Sequence, residues 1–213
     1  MAGEGKALIR GVGRNKLMIK YGVVFGRFQI VHNDHVRYIM AAKERCNNLI
    51  VGISNPDPMH TKGEPTDLKR SSFRANPLTY FERYYMIQAV LRGQGVDDKE
   101  FIIVPFPINY PEYCRYYIPQ DATIYLTIYD EWGEEKYNKL TSLGFYVEVL
   151  WRRPASEKGI SSTQVRESIS AERPYKHLVP PSVYALIREW QIDQRIKGLY
   201  RTPDDDSPYT LSS

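Results

Sequence analysis

The feature that most constrains the fold is an alternation of short apolar runs with helix-like stretches along the chain. The apolar runs are rich in β-branched and aromatic residues, and they predict strands at 21–25, 48–53, 101–106, 122–129 and 145–151. Helices are predicted at 34–46, 79–92, 131–143, 162–170 and 181–190. Strands that alternate with helices favour a parallel sheet, because each crossover covers the sheet with a helix. The sequence therefore predicts an α/β fold, a parallel sheet with helices on both faces.

The two ends of the chain differ in composition from its body. Residues 1–20 are rich in glycine and basic residues and predict a flexible basic arm, and residues 201–213 predict a flexible acidic tail. Residues 21–200 are expected to form a single domain. One connection inside it, 54–78, is unusually long and proline-rich, which is typical of a lid, a binding loop or a disordered segment.

Composition excludes several classes of protein. No apolar run approaches the ~20 residues that cross a bilayer, and basic residues interrupt every apolar patch near the N-terminus, so neither a membrane protein nor a secreted one is expected. The net charge of +4 lies largely on the basic arm, so the sequence does not predict a nucleic-acid-binding face. Cys46 and Cys114 form no CxxC pair, which indicates reduced thiols and a cytoplasmic location.

The first chemical motif follows the first predicted strand. Gly26 gives a ligand room to approach the backbone, and the segment Arg27-Phe28-Gln29 leads into a helix start. A helix start presents unpaired N–H groups to anions. His32 and His35 have i, i+3 spacing, so both imidazoles can face one side of the first turn and donate hydrogen bonds to phosphate. A capping or packing histidine pair is the alternative, and no further ligand at metal-binding spacing accompanies the pair.

The second motif lies after the fifth predicted strand. Ser161, Ser162 and Thr163 stand at the start of a helix, with Arg166 on its first turn. Hydroxyls at that position are consistent with a helix cap. Together with a guanidinium they also fit a clamp on a triphosphate, and the position of the first motif in the same sheet favours the clamp.

With these motifs the sequence resembles the HIGH-type nucleotidyltransferases, and within them the archaeal-type nicotinamide-mononucleotide adenylyltransferases. That family has a G-R-F-Q-P-x-H-x-G-H pattern near its start and an S-x-T-x-I-R-type segment near its end. The resemblance extends from residue 21 to about residue 190, and it includes weaker matches at 60–61, 76–79, 82–83 and 176–180.

The resemblance implies a Rossmann-like fold of the nucleotidyltransferase type and transfer of AMP from ATP, with Mg²⁺ bound through the triphosphate. It implies that His32 and His35 contact the transferring phosphate, and that Ser162, Thr163 and Arg166 hold the β- and γ-phosphates. The expected catalytic residues are His32, His35 and Arg166. Nucleotide contacts are expected from Gly26, Arg27, Phe28, Gln29, His32, His35, Asp130, Ser161, Ser162, Thr163 and Arg166.

The sequence departs from the family pattern in three places. Ile30 and Val31 replace the usual proline and aromatic residue, and Asp34 replaces the glycine between the histidines. A carboxylate there leaves two alternatives open. One is a cytidylyltransferase that uses CTP as the donor and acts on a phospho-alcohol, a sugar phosphate or a phosphonate. The other is a non-catalytic nucleotide sensor. The long 54–78 connection is either a closing lid, with Lys62, Lys69, Arg70 and Arg74 near the leaving pyrophosphate, or a solvated loop.

The acceptor is expected to be a small phosphorylated molecule, with nicotinamide or nicotinate mononucleotide as the first hypothesis. Its predicted contacts follow the third strand: Asn109, Tyr110, Arg115 and Tyr116. Aromatic rings beside an arginine suit a heteroaromatic ring and a phosphate. Packing, or a tyrosine-rich surface for a second copy of the chain in a homo-oligomer, is the alternative.

Overall fold

A computed structural model describes residues 18–56 and 72–201 of the chain. All of its strands are parallel, in the order β3-β2-β1-β4-β5: β1 (Ile19–Gly26), β2 (Cys46–Ser54), β3 (Phe101–Phe106), β4 (Thr123–Ile128) and β5 (Tyr146–Arg152). The described residues also form α1 (Asn33–Lys43), α2 (Tyr80–Gly93), α3 (Glu131–Ser142), α4 (Ser162–Ser170), α5 (Pro181–Glu189) and α6 (Ile192–Arg201). Single 3₁₀ segments lie at Asp98–Glu100, Pro111–Tyr116, Ala155–Glu157 and Lys176–Leu178.

The sheet separates two apolar cores. On one face Val24 and Val51 pack with residues of α1, α2, α4, α5 and α6. On the other face Val23 and Ile50 pack with Leu140 of α3 and with the 3₁₀ segment that holds Cys114. Successive side chains of a strand point to opposite faces, so the central residues of β1 and β2 are apolar on both faces. The predicted fold class, a parallel sheet with helices on both faces, is confirmed.

Several boundaries differ from the prediction. The first helix ends at Lys43, and Cys46 begins β2 instead of ending that helix. Helix α6 was not predicted. Strand β1 begins at Ile19, so the last residues of the predicted arm belong to the sheet, and α6 reaches Arg201 at the start of the predicted tail. The rest of the arm and tail lies outside the described residues. So does the part of the long connection that holds His60, Thr61, Lys62, Lys69 and Arg70.

Strands β1 and β4 separate toward their carboxyl ends. They pair only at Gly22–Thr123 and Val23–Ile124. Beyond that point the hydroxyl of Tyr38, from α1, accepts from the Phe25 N–H at 3.4 Å and donates to the Tyr125 carbonyl at 2.6 Å. This tyrosine therefore satisfies backbone groups that the ladder leaves unpaired. The strand order also reverses here, at the topological switch point where parallel sheets bind ligands.

Candidate active site

A cleft of about 780 Å³ opens at this switch point. The loop after β1, the first turns of α1 and α4, and the ends of β4 and β5 all contribute to its wall. Residues of both sequence motifs line it: Arg27, Phe28, Gln29, His32, His35, Ser161, Ser162, Thr163 and Arg166. The two motifs, far apart in sequence, therefore share one cleft.

The two histidines cap helix α1 through each other's backbone. His32 Nδ1 accepts from the His35 N–H, and His35 Nδ1 accepts from the His32 N–H, each at 3.4 Å. Their rings stack with centroids 3.6 Å apart, and the ring of Phe28 lies edge-on to His35 at 4.9 Å. Because a backbone N–H can only donate, each Nδ1 carries no proton, and the ring proton of each neutral histidine lies on Nε2. The capping interpretation is thus correct for Nδ1, and it leaves Nε2–H as a donor for a ligand.

Burial keeps both rings uncharged. It lowers the pKa of His32 to about 4, although the nearby Asp34 carboxylate acts in the opposite direction. Burial, followed by the neighbouring His32, also lowers the pKa of His35 well below its usual value. Near pH 7 the pair therefore presents two neutral N–H donors rather than two cations, which suits hydrogen bonding to a phosphate without proton exchange.

The loop between β1 and α1 is held in a constrained conformation. Phe28 and Ile30 have φ values of 51° and 98°, in the region that favours glycine. Holding a non-glycine residue there costs about 1–3 kcal/mol, so the surroundings must fix it. The buried Gln29 does so, because its side-chain amide donates to the Leu78 carbonyl at 3.2 Å and accepts from the Leu78 N–H at 2.9 Å. The loop is therefore tied to the residues that precede α2.

The start of α4 is bonded to the same loop. Ser161 caps the helix by accepting from the Gln164 N–H at 3.1 Å, and Ser162 donates to the Ile30 carbonyl at 3.0 Å. Arg166 is only 3% exposed and donates to the Gln29 carbonyl at 2.9 Å. The residues of the predicted clamp therefore also have a structural role, since they connect the start of α4 to the loop after β1.

Arg166 has a further partner and one spare donor. It donates to Thr163 Oγ1 at 3.1 Å, while its buried Nε has no hydrogen-bond partner. Burial lowers the pKa of Arg166, but a guanidinium stays charged in proteins. An anion in the cleft would meet this charge together with the unpaired amides of the first turn of α4.

Asp34, the carboxylate between the two histidines, lies beside the start of α4. It lines the cleft, but its Oδ2 accepts from the Ile160 N–H at 2.6 Å, and its Oδ1 pairs with Arg37 at 3.2 Å. Its carboxylate is thus engaged by the protein itself, next to the start of α4.

At the carboxyl ends of β4 and β5 the cleft wall combines an acidic cap with aromatic side chains. Asp130 caps α3 by accepting from the Gly133 N–H at 3.0 Å, and it pairs with Lys158 at 3.3 Å. Burial opposes its ionisation, but the Gly133 N–H and Lys158 outweigh burial and lower the pKa of Asp130. Trp132 and Trp151 line the same end, where planar groups can stack on a base.

Gly26 and the predicted acceptor residues lie outside the cleft lining. At Gly26 the space belongs to Phe28, whose ring would lie 3.1 Å from an added Cβ. Arg115 donates to the Leu143 carbonyl and lies over the Phe145 ring, away from the histidines. Tyr116 is 82% exposed. The acceptor role of Asn109, Tyr110, Arg115 and Tyr116 therefore stays a prediction that the geometry does not support.

Sequence reasoning missed two residues that shape the cleft. Tyr38 holds β1 and β4 apart, as described above. Arg83, 2% exposed, donates to the carbonyls of Arg27, Ser54 and Asn55 at 2.8–3.0 Å, so it joins the carboxyl ends of β1 and β2. Burial lowers its pKa to about 10, which leaves it charged. In the sequence Arg83 stood only in the weak family match at 82–83, on a predicted helix, with no signal for its long-range partners.

Within residues 18–56 and 72–201, no cluster of three histidine, cysteine or acidic side chains is arranged to hold a metal ion. The two carboxylates described above are engaged by backbone N–H groups and by basic side chains. A metal ion bound through the substrate's phosphates stays a prediction. Over the same residues, no helix is long and apolar enough to cross a membrane.

Comparison with solved structures supports the fold. The chain superposes on a bifunctional NMN adenylyltransferase/ADP ribose pyrophosphatase from Francisella tularensis with a TM-score of 0.60 at 17% identity. The match covers 86% of this chain and 54% of that protein, so the chain spans about half of its length. At this identity the likeness shows a shared fold.

Comparison with sequences shows closer relatives. A phosphonoformate cytidylyltransferase from Streptomyces viridochromogenes is 44% identical over 177 residues, which are 83% of this chain and 95% of that protein. A nicotinamide-nucleotide adenylyltransferase from Thermococcus kodakarensis is 29% identical, over 85% of this chain and 89% of that protein. The model of the cytidylyltransferase-like family matches residues 23–168, which include both the histidine pair and Arg166. The predicted resemblance is confirmed: the chain belongs to the cytidylyltransferase-like family and is a nucleotidyltransferase of the HIGH type.

Proposed function

We propose that this nucleotidyltransferase transfers CMP from CTP to an oxygen of a small phosphonate or phosphate acceptor and releases pyrophosphate. The observation that carries the proposal is that the histidine pair and the first turn of α4 converge on one cleft. The choice of CMP and of a phosphonate acceptor rests on the relative with 44% identity, which is a phosphonoformate cytidylyltransferase.

Transfer of AMP to a mononucleotide, the first hypothesis from the sequence, is the second candidate. The relatives that carry this activity are 28–29% identical over 84–85% of this chain. A non-catalytic sensor has less support, because the relatives are nucleotidyltransferases and because Asp34, which suggested a sensor, bonds the Ile160 N–H.

The reaction needs no proton from the protein. An anionic acceptor oxygen attacks the α-phosphorus in line, the bond from that phosphorus to the oxygen bridging the β-phosphate breaks, and pyrophosphate leaves with the electron pair. We propose that the Nε2–H groups of His32 and His35 stabilise the charge that grows on these oxygens. Donors aimed at developing charge are typically worth about 3–4 kcal/mol each.

We assign the binding of the β- and γ-phosphates to the start of α4. Arg166 and the amides of Ser162 and Thr163 would hold the β- and γ-phosphates, close to the histidine pair. Mg²⁺ would be bound through the triphosphate, where it neutralises phosphate charge. The reduced, buried cysteines fit a cytoplasmic enzyme, which is part of the proposal.

A crossed assay tests the proposal. The full chain with Mg²⁺ is incubated with CTP or ATP, each with phosphonoformate, nicotinamide mononucleotide or nicotinate mononucleotide, and released pyrophosphate is measured. We expect release with CTP and phosphonoformate and none with CTP alone. His35→Ala serves as the inactive control, and His177→Ala, at an exposed position, as its matched surface control.

The assay also separates the candidates. Release only with ATP and a mononucleotide would replace the proposal by the second candidate. Absence of pyrophosphate with every pair, while CTP still stabilises the fold against heat, would contradict the proposed CMP transfer to these acceptors.

A further inference from the structure

Asp34 connects the two motifs that form the cleft. It lies in the first turn of α1 between His32 and His35, and its Oδ2 accepts from the Ile160 N–H at 2.6 Å. Ile160 directly precedes Ser161, which caps α4. One short, charge-assisted hydrogen bond therefore joins the turn that carries the histidines to the turn that carries the phosphate-facing amides.

Gly159 leaves room for this carboxylate because it has no side chain. A Cβ added at Gly159 would lie 2.0 Å from Asp34 Oδ2, far inside van der Waals contact. The atom in the way belongs to a side chain that is itself held by the Ile160 N–H. The carboxylate at position 34 therefore excludes any residue larger than glycine at position 159.

The other side of the same segment is held as well. Lys158 pairs with Asp130, the cap of α3, at 3.3 Å. Residues 158–160 are thus fixed between the first turns of α1 and α3, and α4 begins immediately after them.

We propose that Asp34 is a positioning residue for nucleotidyl transfer: through the Ile160 N–H it sets the first turn of α4 at the distance from the histidine pair that one triphosphate requires. The inference rests on the proposed function. Misplacing reacting groups by about 1 Å costs on the order of a hundredfold in rate, so a small shift of α4 is enough to matter. The contacts of Ser162 with Ile30 and of Arg166 with Gln29 remain without Asp34, so the fold is expected to persist.

Three variants isolate the hydrogen bond. Asp34→Asn keeps an oxygen that accepts from the Ile160 N–H, and its kcat is expected within about threefold of wild type. Asp34→Gly removes the acceptor, and its kcat is expected to fall about tenfold or more. Arg37→Gln removes only the exposed partner of the carboxylate and serves as the control with unchanged kcat.

A double-mutant cycle tests the fit between Asp34 and Gly159. In the wild-type background Gly159→Ala is expected to lower kcat about tenfold, because the new Cβ displaces the carboxylate or the loop. In the Asp34→Gly background the same change is expected to add no further loss, since nothing is left to clash with it.

Hydrogen exchange provides a readout that does not depend on turnover. The Ile160 amide is expected to exchange slowly in wild type and Asp34→Asn, and faster in Asp34→Gly, with melting temperatures checked in parallel. The proposal is overturned if Asp34→Asn is as impaired as Asp34→Gly, or if Gly159→Ala costs the same in both backgrounds. An unprotected Ile160 amide in wild type would also overturn it, whereas protected Ile160 without turnover for any substrate would contradict the proposed function instead.

Discussion

The neutral state of the histidine pair predicts a specific loss of stability in mild acid. Burial lowers the pKa of His32 in the folded protein to about 4, and the unfolded chain has the ordinary value of 6.5. Between these two values the unfolded state binds more protons than the folded state, so the free energy of unfolding falls as the pH falls. The contribution of neutral His32 to the free energy of unfolding is fully present above pH 6.5. It is lost as the pH falls from 6.5 to about 4, and it does not change further below that pH.

The magnitude follows from the two pKa values. Lowering the pH from 7 to 5 is expected to reduce the free energy of unfolding by about 2 kcal/mol through His32 alone. The pKa of His35 is lowered as well, so the pair together is expected to lose more than this. Only 5% of His32 is exposed, so solvent screens the effect little.

Chemical denaturation at pH 5, 6, 7 and 8 measures this effect. The comparison variant is His32→Asn, because asparagine is a good helix cap that can accept from the His35 N–H and does not titrate. We expect the wild type to lose about 2 kcal/mol more than His32→Asn between pH 7 and pH 5. His177→Asn, at an exposed position, controls for the removal of a histidine as such. Parallel stability curves for wild type and His32→Asn would refute the assignment of a buried, neutral imidazole.

Three further predictions follow from contacts of the cleft and of α2. His35→Ala is expected to lower kcat at least about a hundredfold with an unchanged circular dichroism spectrum; activity within tenfold of wild type would remove His35 from the mechanism. Tyr38→Phe removes the hydroxyl that bonds two backbone groups of β1 and β4, and the free energy of unfolding is expected to fall by about 2 kcal/mol. An unchanged midpoint of chemical denaturation would contradict this. Glu82→Gln breaks the ion pair with Arg195, whose two hydrogen bonds measure 2.7 and 2.9 Å, and is expected to lower the free energy of unfolding by about 2 kcal/mol. Asp98→Asn, which breaks an exposed ion pair with Arg92, is the control. A similar loss in that control would show that burial of the Glu82 pair is not the reason.

The order of strands and helices was predictable because local patterns carry it. Runs of β-branched residues located all five strands, and the predicted helix at 79–92 begins at Thr79, the residue that caps α2. Helix α6 was missed, although Ile192, Ile196 and Leu199 have helical spacing and are buried. Its polar residues and Gly198 resemble a chain end, whereas its packing against α4 and α5 stabilises it as a helix.

The site was predictable where function concentrates residues in one short segment. The histidine pair and the Ser161–Arg166 segment were identified from spacing and resemblance, and they do meet in one cleft. The bonds of Tyr38, Asp34 and Arg83 join residues that are distant in sequence, so no local pattern could reveal them. The predicted acceptor residues lie outside the cleft lining, because a position directly after a strand does not determine where the loop turns.

The most direct measurement is a crystal structure of the chain with a CTP analogue that cannot be cleaved between the α- and β-phosphates. We expect Nε2 of His32 or His35 to lie about 3 Å from an α- or β-phosphate oxygen, while the first turn of α4 and Arg166 contact the remaining phosphates. A triphosphate that touches only one of these two groups, with the other facing solvent or protein, would show that the two motifs do not bind one triphosphate.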